Sequence, residues 1–231
     1  MHSFTHHPHR HNKIGGVSGK ETKGLVLKGG WRYDLMGWLF DTFVFRRRLR
    51  ELRRRTADLA HIQPGEKVLD VGCGTGTLAI EVQKRVGATG RVFGIDPGVQ
   101  QIARARFKAA RRKLPIDFQV GVIERLPFGN ETFDVVLSTI MMHHLGDGLK
   151  RQGLAEIVRV LKPGGRLIIA DFNRSQERQV QPVRFGSVRD LPALVKDAGF
   201  SQIETEEMPF PKLSEGVCFV AAHKANTKED K

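Results

Sequence analysis

The stretch VLDVGCGTG, residues 68–76, decides the fold. Apolar residues lead up to Asp70, then glycines at 72, 74 and 76 open onto an amphipathic run that begins at Thr77. This is the pattern of a buried strand, a tight loop and the first turn of a helix. Glycine accepts positive φ and carries no Cβ to hold a ligand away from the backbone. The helix that follows directs free N–H groups and a partial positive charge toward the loop. Such a unit cradles a nucleotide-type cofactor.

Two cofactor classes compete for it. Gly74, Gly76 and Ala79 satisfy the looser dinucleotide fingerprint, and Asp96 follows about twenty residues on, as that fingerprint requires. Asp70 points the other way. A carboxylate closing the strand suits a ligand that carries an ammonium group and sits badly beside a pyrophosphate.

Outward from the loop the pattern alternates. Strands are expected at 67–71, 91–95, 116–121, 133–138 and 165–172, and helices at 77–86, 99–113 and 147–161. Strand alternating with helix at this spacing implies right-handed crossovers and a parallel sheet covered on both faces. The end of the chain differs: a helix at 188–198, then strands at 202–206 and 216–223 joined by too short a segment for anything but antiparallel pairing. The expected fold is therefore α/β: a doubly wound, mostly parallel seven-stranded sheet closed by a C-terminal antiparallel hairpin. Residues 1–24 read as a polar tail, 25–63 as a basic helical lid, 64–224 as the main domain and 225–231 as a short tail.

The 231 residues carry a formal net charge of +13, of which +8 falls in the first 60. The excess is local to the tail and lid. Seven arginines between 46 and 55 line a helical pattern whose apolar positions include Leu35, Leu39, Phe43, Leu49, Leu52 and Leu59. Five histidines between His2 and His11 read as a polar leader rather than a metal tract. No run reaches the roughly 18 apolar residues of a membrane span. The two cysteines, Cys73 and Cys218, offer neither zinc spacing nor a disulfide framework. A cytoplasmic setting fits, with peripheral contact at an anionic membrane as the open alternative.

With these residues in view, the chain resembles the class I S-adenosylmethionine-dependent methyltransferases, and within them the ubiquinone/menaquinone biosynthesis C-methyltransferases and related small-molecule enzymes. Residues 68–79 resemble the first motif of the class. RYDLM at 32–36, ERLPF at 124–128, FDVVLS at 133–138, HHL at 143–145, RVLKPGG at 159–165 and LSEGVC at 213–218 resemble the later ones. Three departures stand out. Gly37, Trp38 and Leu39 replace the group's polar and His-Arg continuation, Val122 stands where an Asp is usual, and the segment after the fifth strand is short.

The resemblance implies S-adenosylmethionine as cofactor and assigns residues to it. Asp70 would face its ammonium, and Asp96 its ribose hydroxyls. Gly72, Cys73, Gly74, Gly76 and Thr77 would line its methionine part. Ile95, Pro97 and Ile123 would wall the adenine, unless they serve only as core. Glu124 would serve the adenine amino group or simply be solvated. Ser138 would lie near the transferred methyl. His143 and His144 would take a proton from the acceptor, or else pack against the sheet edge and cap the next turn. Tyr33 and Trp38 would touch the substrate.

The expected activity is methyl transfer to a small, apolar or membrane-associated acceptor: a quinone precursor, a phospholipid headgroup or an aromatic metabolite. The alternatives are an RNA methyltransferase using the basic helix on phosphates and an NAD-dependent oxidoreductase. The fourth strand ends without the Asn/Asp-Pro-Pro-aromatic run of base-amino methylation, which argues against nucleic acid.

Overall fold

The computed structural model describes residues 46–173, 191–209 and 216–226. The polar tail, most of the expected lid, Tyr33 and Trp38, and the segment between 174 and 190 lie outside the described residues.

The strands are β1 (Lys67–Val71), β2 (Arg91–Asp96), β3 (Ile116–Val120), β4 (Phe133–Thr139), β5 (Leu161–Asn173), β6 (Phe200–Met208) and β7 (Gly216–Lys224). The α-helices are α1 (Arg46–Leu59), α2 (Thr77–Val86), α3 (Val99–Arg111), α4 (Asp147–Val160) and α5 (Leu191–Asp197). One sheet orders the strands β3-β2-β1-β4-β5-β7-β6. The first five pair in parallel and β7 runs antiparallel to both β5 and β6. This is the expected architecture. Strands buried on both faces need near-continuous apolar sequence, and β1 shows it, with all but Lys67 buried.

Side chains alternate between the faces. Leu69, Val71, Ile95, Val136 and Ile169 meet Leu154 and Ile157 of α4 and Leu194 and Val195 of α5 on one face. Val68, Val92, Phe118, Val135 and Leu137 meet Leu78, Val82 of α2 and Ile102, Ala105 of α3 on the other. α1 continues that second layer, with Leu52 packed on Ala170, Val217 and Phe219.

Two local features differ from expectation. β5 begins at Leu161 rather than Gly165. Leu161 pairs with Phe133, the Lys-Pro-Gly-Gly run bulges out with Gly164 at φ +70, and pairing resumes at Arg166 opposite Val135. A Pro-Gly-Gly signal ordinarily ends an element, but a bulge absorbs it here. The second concerns the arginines of α1. Arg55 forms a two-pronged pair with Glu206 of β6, and Asp58 accepts an ion pair from Arg85 of α2 at 2.6 Å. Part of the basic cluster thus fastens the helix to the sheet instead of facing solvent. Among the described residues no helix is long and apolar enough to cross a membrane.

Candidate functional site

Strand order reverses beside β1: β2 and β3 extend to one side, β4 and β5 to the other. The connections leaving β1 and β4 therefore diverge, and the crevice beyond their carboxyl ends is where open α/β sheets hold ligands. The glycine loop walls one side and residues 140–144 the other. They meet at Gly72, which sits at φ +72, where a Cβ would overlap the Met141 side chain. Ile140 adopts φ +53, a left-handed backbone that β-branched residues rarely take. Its N–H donates to Ala170 at 2.8 Å, which fixes the turn in place.

Asp70 is 2% exposed, with Oδ2 buried and unpartnered. Burial pushes its carboxyl up to about 7. The Ala79 N–H at the start of α2 opposes that shift, Asp96 adds to it, and Arg53 on α1 acts against it. Asp96 accepts the Gly74 N–H at 2.9 Å and the Gly98 N–H at 2.8 Å, so one carboxylate ties the glycine loop to the end of β2. Burial raises its pKa and those two N–H groups counteract the rise. A carboxylate offers about four lone-pair sites, so each Asp96 oxygen keeps one for a ligand hydroxyl.

Cys73 and Thr77 are placed differently from Asp70 and Asp96. The Cys73 N–H donates to Ile95, its carbonyl accepts from Gly76, and its thiol lies under the loop beside Gly94 and Phe118. Neither backbone group nor sulfur is left facing the crevice, because the tight turn consumes the one and the core the other. The Thr77 hydroxyl accepts from the Lys108 ammonium at 2.9 Å, as does Thr75 at 2.8 Å. Lys108, on α3, thus clamps the loop from behind.

The loop after β3 lies across the edge of the crevice. Ile95 (1% exposed) and Ile123 (5%) belong to the core, with Ile123 packed on Gly153 of α4, so little of either is left to wall an adenine. Pro97 is half-buried and keeps an open face. Glu124 is half-buried with Oε1 enclosed and unpartnered. Arg159, in the last turn of α4, donates to the carbonyls of Leu126 (3.0 Å) and Phe128 (2.7 Å), while Glu156 accepts the Leu126 N–H at 2.7 Å. The Phe128 ring meets Phe93 and Phe133 edge-on at 5.7 and 4.9 Å. Arg159→Ala is expected to cost about 1.5–3 kcal/mol, the range for hydrogen bonds to charged groups, measured by urea denaturation. An unchanged midpoint would mean that the aromatic cluster alone holds this loop.

Ser138 is fully buried between Val71 and Ile169, with its hydroxyl unpartnered. His143 and His144 occupy the short 3-10 turn Met142–His144, their ring centroids 3.9 Å apart. Burial, and then the neighbouring His143, press His144 down to about 4, with Asp171 opposing. His143 Nδ1 lies 2.7 Å from Asp171 Oδ1, and the His143 N–H donates to Asp171 Oδ2 at 3.1 Å.

Sequence reading missed Asp171, Arg53, Lys108 and the Glu156–Arg159 pair. A signal existed for Asp171. It follows the apolar run Leu167–Ala170 as Asp70 and Asp96 follow theirs, each carboxylate standing near the carboxyl end of a buried strand. The others act on residues 17 or more positions away and left no local trace.

A family model described as a methyltransferase domain matches residues 68–165, and one described as Anamorsin, N-terminal, matches 118–216. The ubiquinone/menaquinone biosynthesis C-methyltransferase UbiE of Bordetella parapertussis is 31% identical over 186 residues, which cover 80% of this chain and 68% of the relative. The chain belongs to the class I S-adenosylmethionine-dependent methyltransferases. UbiE of Geobacter sulfurreducens is 32% identical over 71% of this chain, and the match spans 62% of that relative's length. In fold, this methyltransferase-family chain is similar to geranyl diphosphate C-methyltransferase from Streptomyces coelicolor (TM-score 0.67, 15% identity, 78% of this chain and 80% of that one).

The residues fit the family's cofactor, S-adenosylmethionine. Asp70 presents an unpartnered buried oxygen to an ammonium, and a Cβ at Gly74 would meet nothing within 4 Å, so the crest of the loop is open. Pyrophosphate would meet two carboxylates instead.

Proposed function

We propose that this chain transfers a methyl group from S-adenosylmethionine to a small, apolar acceptor of quinone-precursor type. The observation that carries the reading is the buried, unpartnered oxygen of Asp70 beside the Asp96-tied glycine loop, at the point where strand order reverses. When bound, the cofactor supplies an electrophilic methyl on its sulfonium; the chain supplies grip, approach and a dry site.

Asp70 takes the ammonium, and Arg53 of α1 acts electrostatically on the same carboxylate. Asp96 receives the ribose hydroxyls. Gly72, Gly74 and Gly76 let the methionine part approach the backbone, and Pro97 and Glu124 receive the adenine. Ser138 and Met141 flank the path to the acceptor. The acceptor class follows from the relatives, which are named for ubiquinone and menaquinone biosynthesis. Arg47, Arg50 and Arg54 form one exposed stripe on α1. Three such residues contribute about 1 kcal/mol each near anionic lipid, a weak attraction toward a membrane that stores apolar acceptors.

The test is transfer of labelled methyl from S-adenosylmethionine to quinone-precursor, lipid and RNA extracts. Label in the quinone-precursor fraction supports the reading, and label in RNA alone overturns the acceptor class. Asp96→Ala is expected to weaken S-adenosylhomocysteine binding at least tenfold, about 1.5–3 kcal/mol for a charged hydrogen-bonding group. Calorimetry checks it, and an unaltered Kd would remove Asp96 from the ribose site.

A further inference from the structure

We propose that His143 and Asp171 act together as the proton acceptor of the reaction, so that the methylated atom is one that must shed a proton: a weakly acidic O–H or C–H. This deepens the methyl-transfer reading and rests on it.

The geometry is that of an oriented base. Asp171 is 1% exposed and accepts three N–H groups: His143 Nδ1 at 2.7 Å, the His143 backbone at 3.1 Å and the Phe172 backbone at 2.7 Å. Facing an acceptor-only carboxylate, Nδ1 must carry the proton, which leaves the Nε2 lone pair free to receive one. The ring is held on its other sides by His144 at 3.9 Å and the edge of Phe172 at 5.3 Å. Its side chain is 12% exposed while that of Asp171 is 1% exposed, so the imidazole keeps an accessible edge and its partner does not. The turn that carries His143 also places Met141 against Gly72, which sets the base next to the loop that receives the methyl donor.

The step balances. The acceptor's electron pair forms the new bond to the methyl carbon, and the carbon–sulfur bond breaks with its pair going to sulfur. The acceptor's proton passes to His143 Nε2, and the resulting imidazolium, stabilised by Asp171, later releases it to water. Asp171 is a positioning residue; His143 is the catalytic one. The other titratable groups around the pair are His144 on the same turn, Cys218 opposite Asp171 on β7, and Glu207 beyond it on β6. A tertiary amine or thioether, which loses no proton, would gain nothing from this arrangement.

The test is imidazole ¹⁵N NMR of the full chain between pH 5 and 9, together with methyl transfer into whichever extract fraction the wild type labels. Neutral His143 is expected as the Nδ1–H tautomer. His143→Gln is expected to lower transfer by about 100- to 10,000-fold with the S-adenosylhomocysteine Kd within twofold. Asp171→Asn is expected to remove the fixed Nδ1–H tautomer from the spectra and to lower transfer, with the S-adenosylhomocysteine Kd again within twofold. An Nε2–H tautomer in the wild type, or undiminished transfer by His143→Gln, overturns the proposal. A wild type that binds no S-adenosylhomocysteine would instead overturn the methyl-transfer reading, and the NMR tautomer would still decide the pair.

Discussion

Gly76→Val is expected to destabilise the fold by about 2–5 kcal/mol. Gly76 sits at φ +71, where an L side chain costs roughly 1–2 kcal/mol. A Cβ there would stand 2.5 Å from the Phe118 ring and 2.9 Å from Ala105. Phe118 is 1% exposed and Ala105 fully buried, so neither can yield without disturbing the α3–sheet contact. Overpacking of a dense core adds about 1–3 kcal/mol. For a chain of this size the Tm should fall by roughly 10 °C, read by calorimetry. Gly74→Ala is the control. Its φ is +52, but its Cβ enters open space, so it should cost only about 1 kcal/mol while obstructing the crevice. Equal destabilisation by both substitutions would show that backbone strain, not the Phe118 contact, accounts for Gly76.

Asp70 carries the second large effect, which depends on pH. Its carboxyl is raised from an ordinary 3.8 to about 7 by burial. Between those values the unfolded chain has lost a proton that the folded chain retains. Stability from this group is therefore complete below about pH 4, declines by about 1.4 kcal/mol per pH unit as pH rises, and levels off above about 7. The total is about 4 kcal/mol for the ligand-free chain. Asp70→Asn should remove this decline in urea denaturation between pH 5 and 8.

A ligand with an ammonium group reverses the preference, because it favours the ionised carboxylate. S-adenosylhomocysteine binding should release close to one proton at pH 6, visible as buffer-dependent calorimetric heats. Its affinity should climb up to tenfold per pH unit from 5 to about 7 and then flatten. Heats that do not vary with buffer at pH 6 would separate Asp70 from the ammonium.

Both effects arise from a segment whose meaning was largely readable in advance. The apolar run to Asp70 and the glycines at 72, 74 and 76 identify strand, loop and helix because backbone geometry and hydrophobic period are local properties. The same holds for the alternation that produces β1 to β5. Where a local signal misled, a longer-range contact had overridden it. Pro163 and Gly164 read as a stop, yet pairing of Leu161 with Phe133 carries β5 past them. Seven arginines read as the basic side of a helical lid, yet Arg55 is drawn to Glu206, 151 residues away.

The sequence alone therefore determined the class of fold, the order of its elements, the glycine loop and the acidic strand ends that mark the ligand crevice. Periodicity and glycine placement act over a few residues, so one strand's worth of chain contains the information. Only the tertiary structure decided which of those residues are spent. It sank the Cys73 thiol into the core, gave Thr77 to Lys108, and buried Ile95 and Ile123. It also joined His143 to Asp171, giving one of two adjacent histidines a buried carboxylate partner. Such partnerships depend on which strands become neighbours and which turns project from the same sheet edge. That is settled by packing across the whole chain, and no run of neighbouring residues records it.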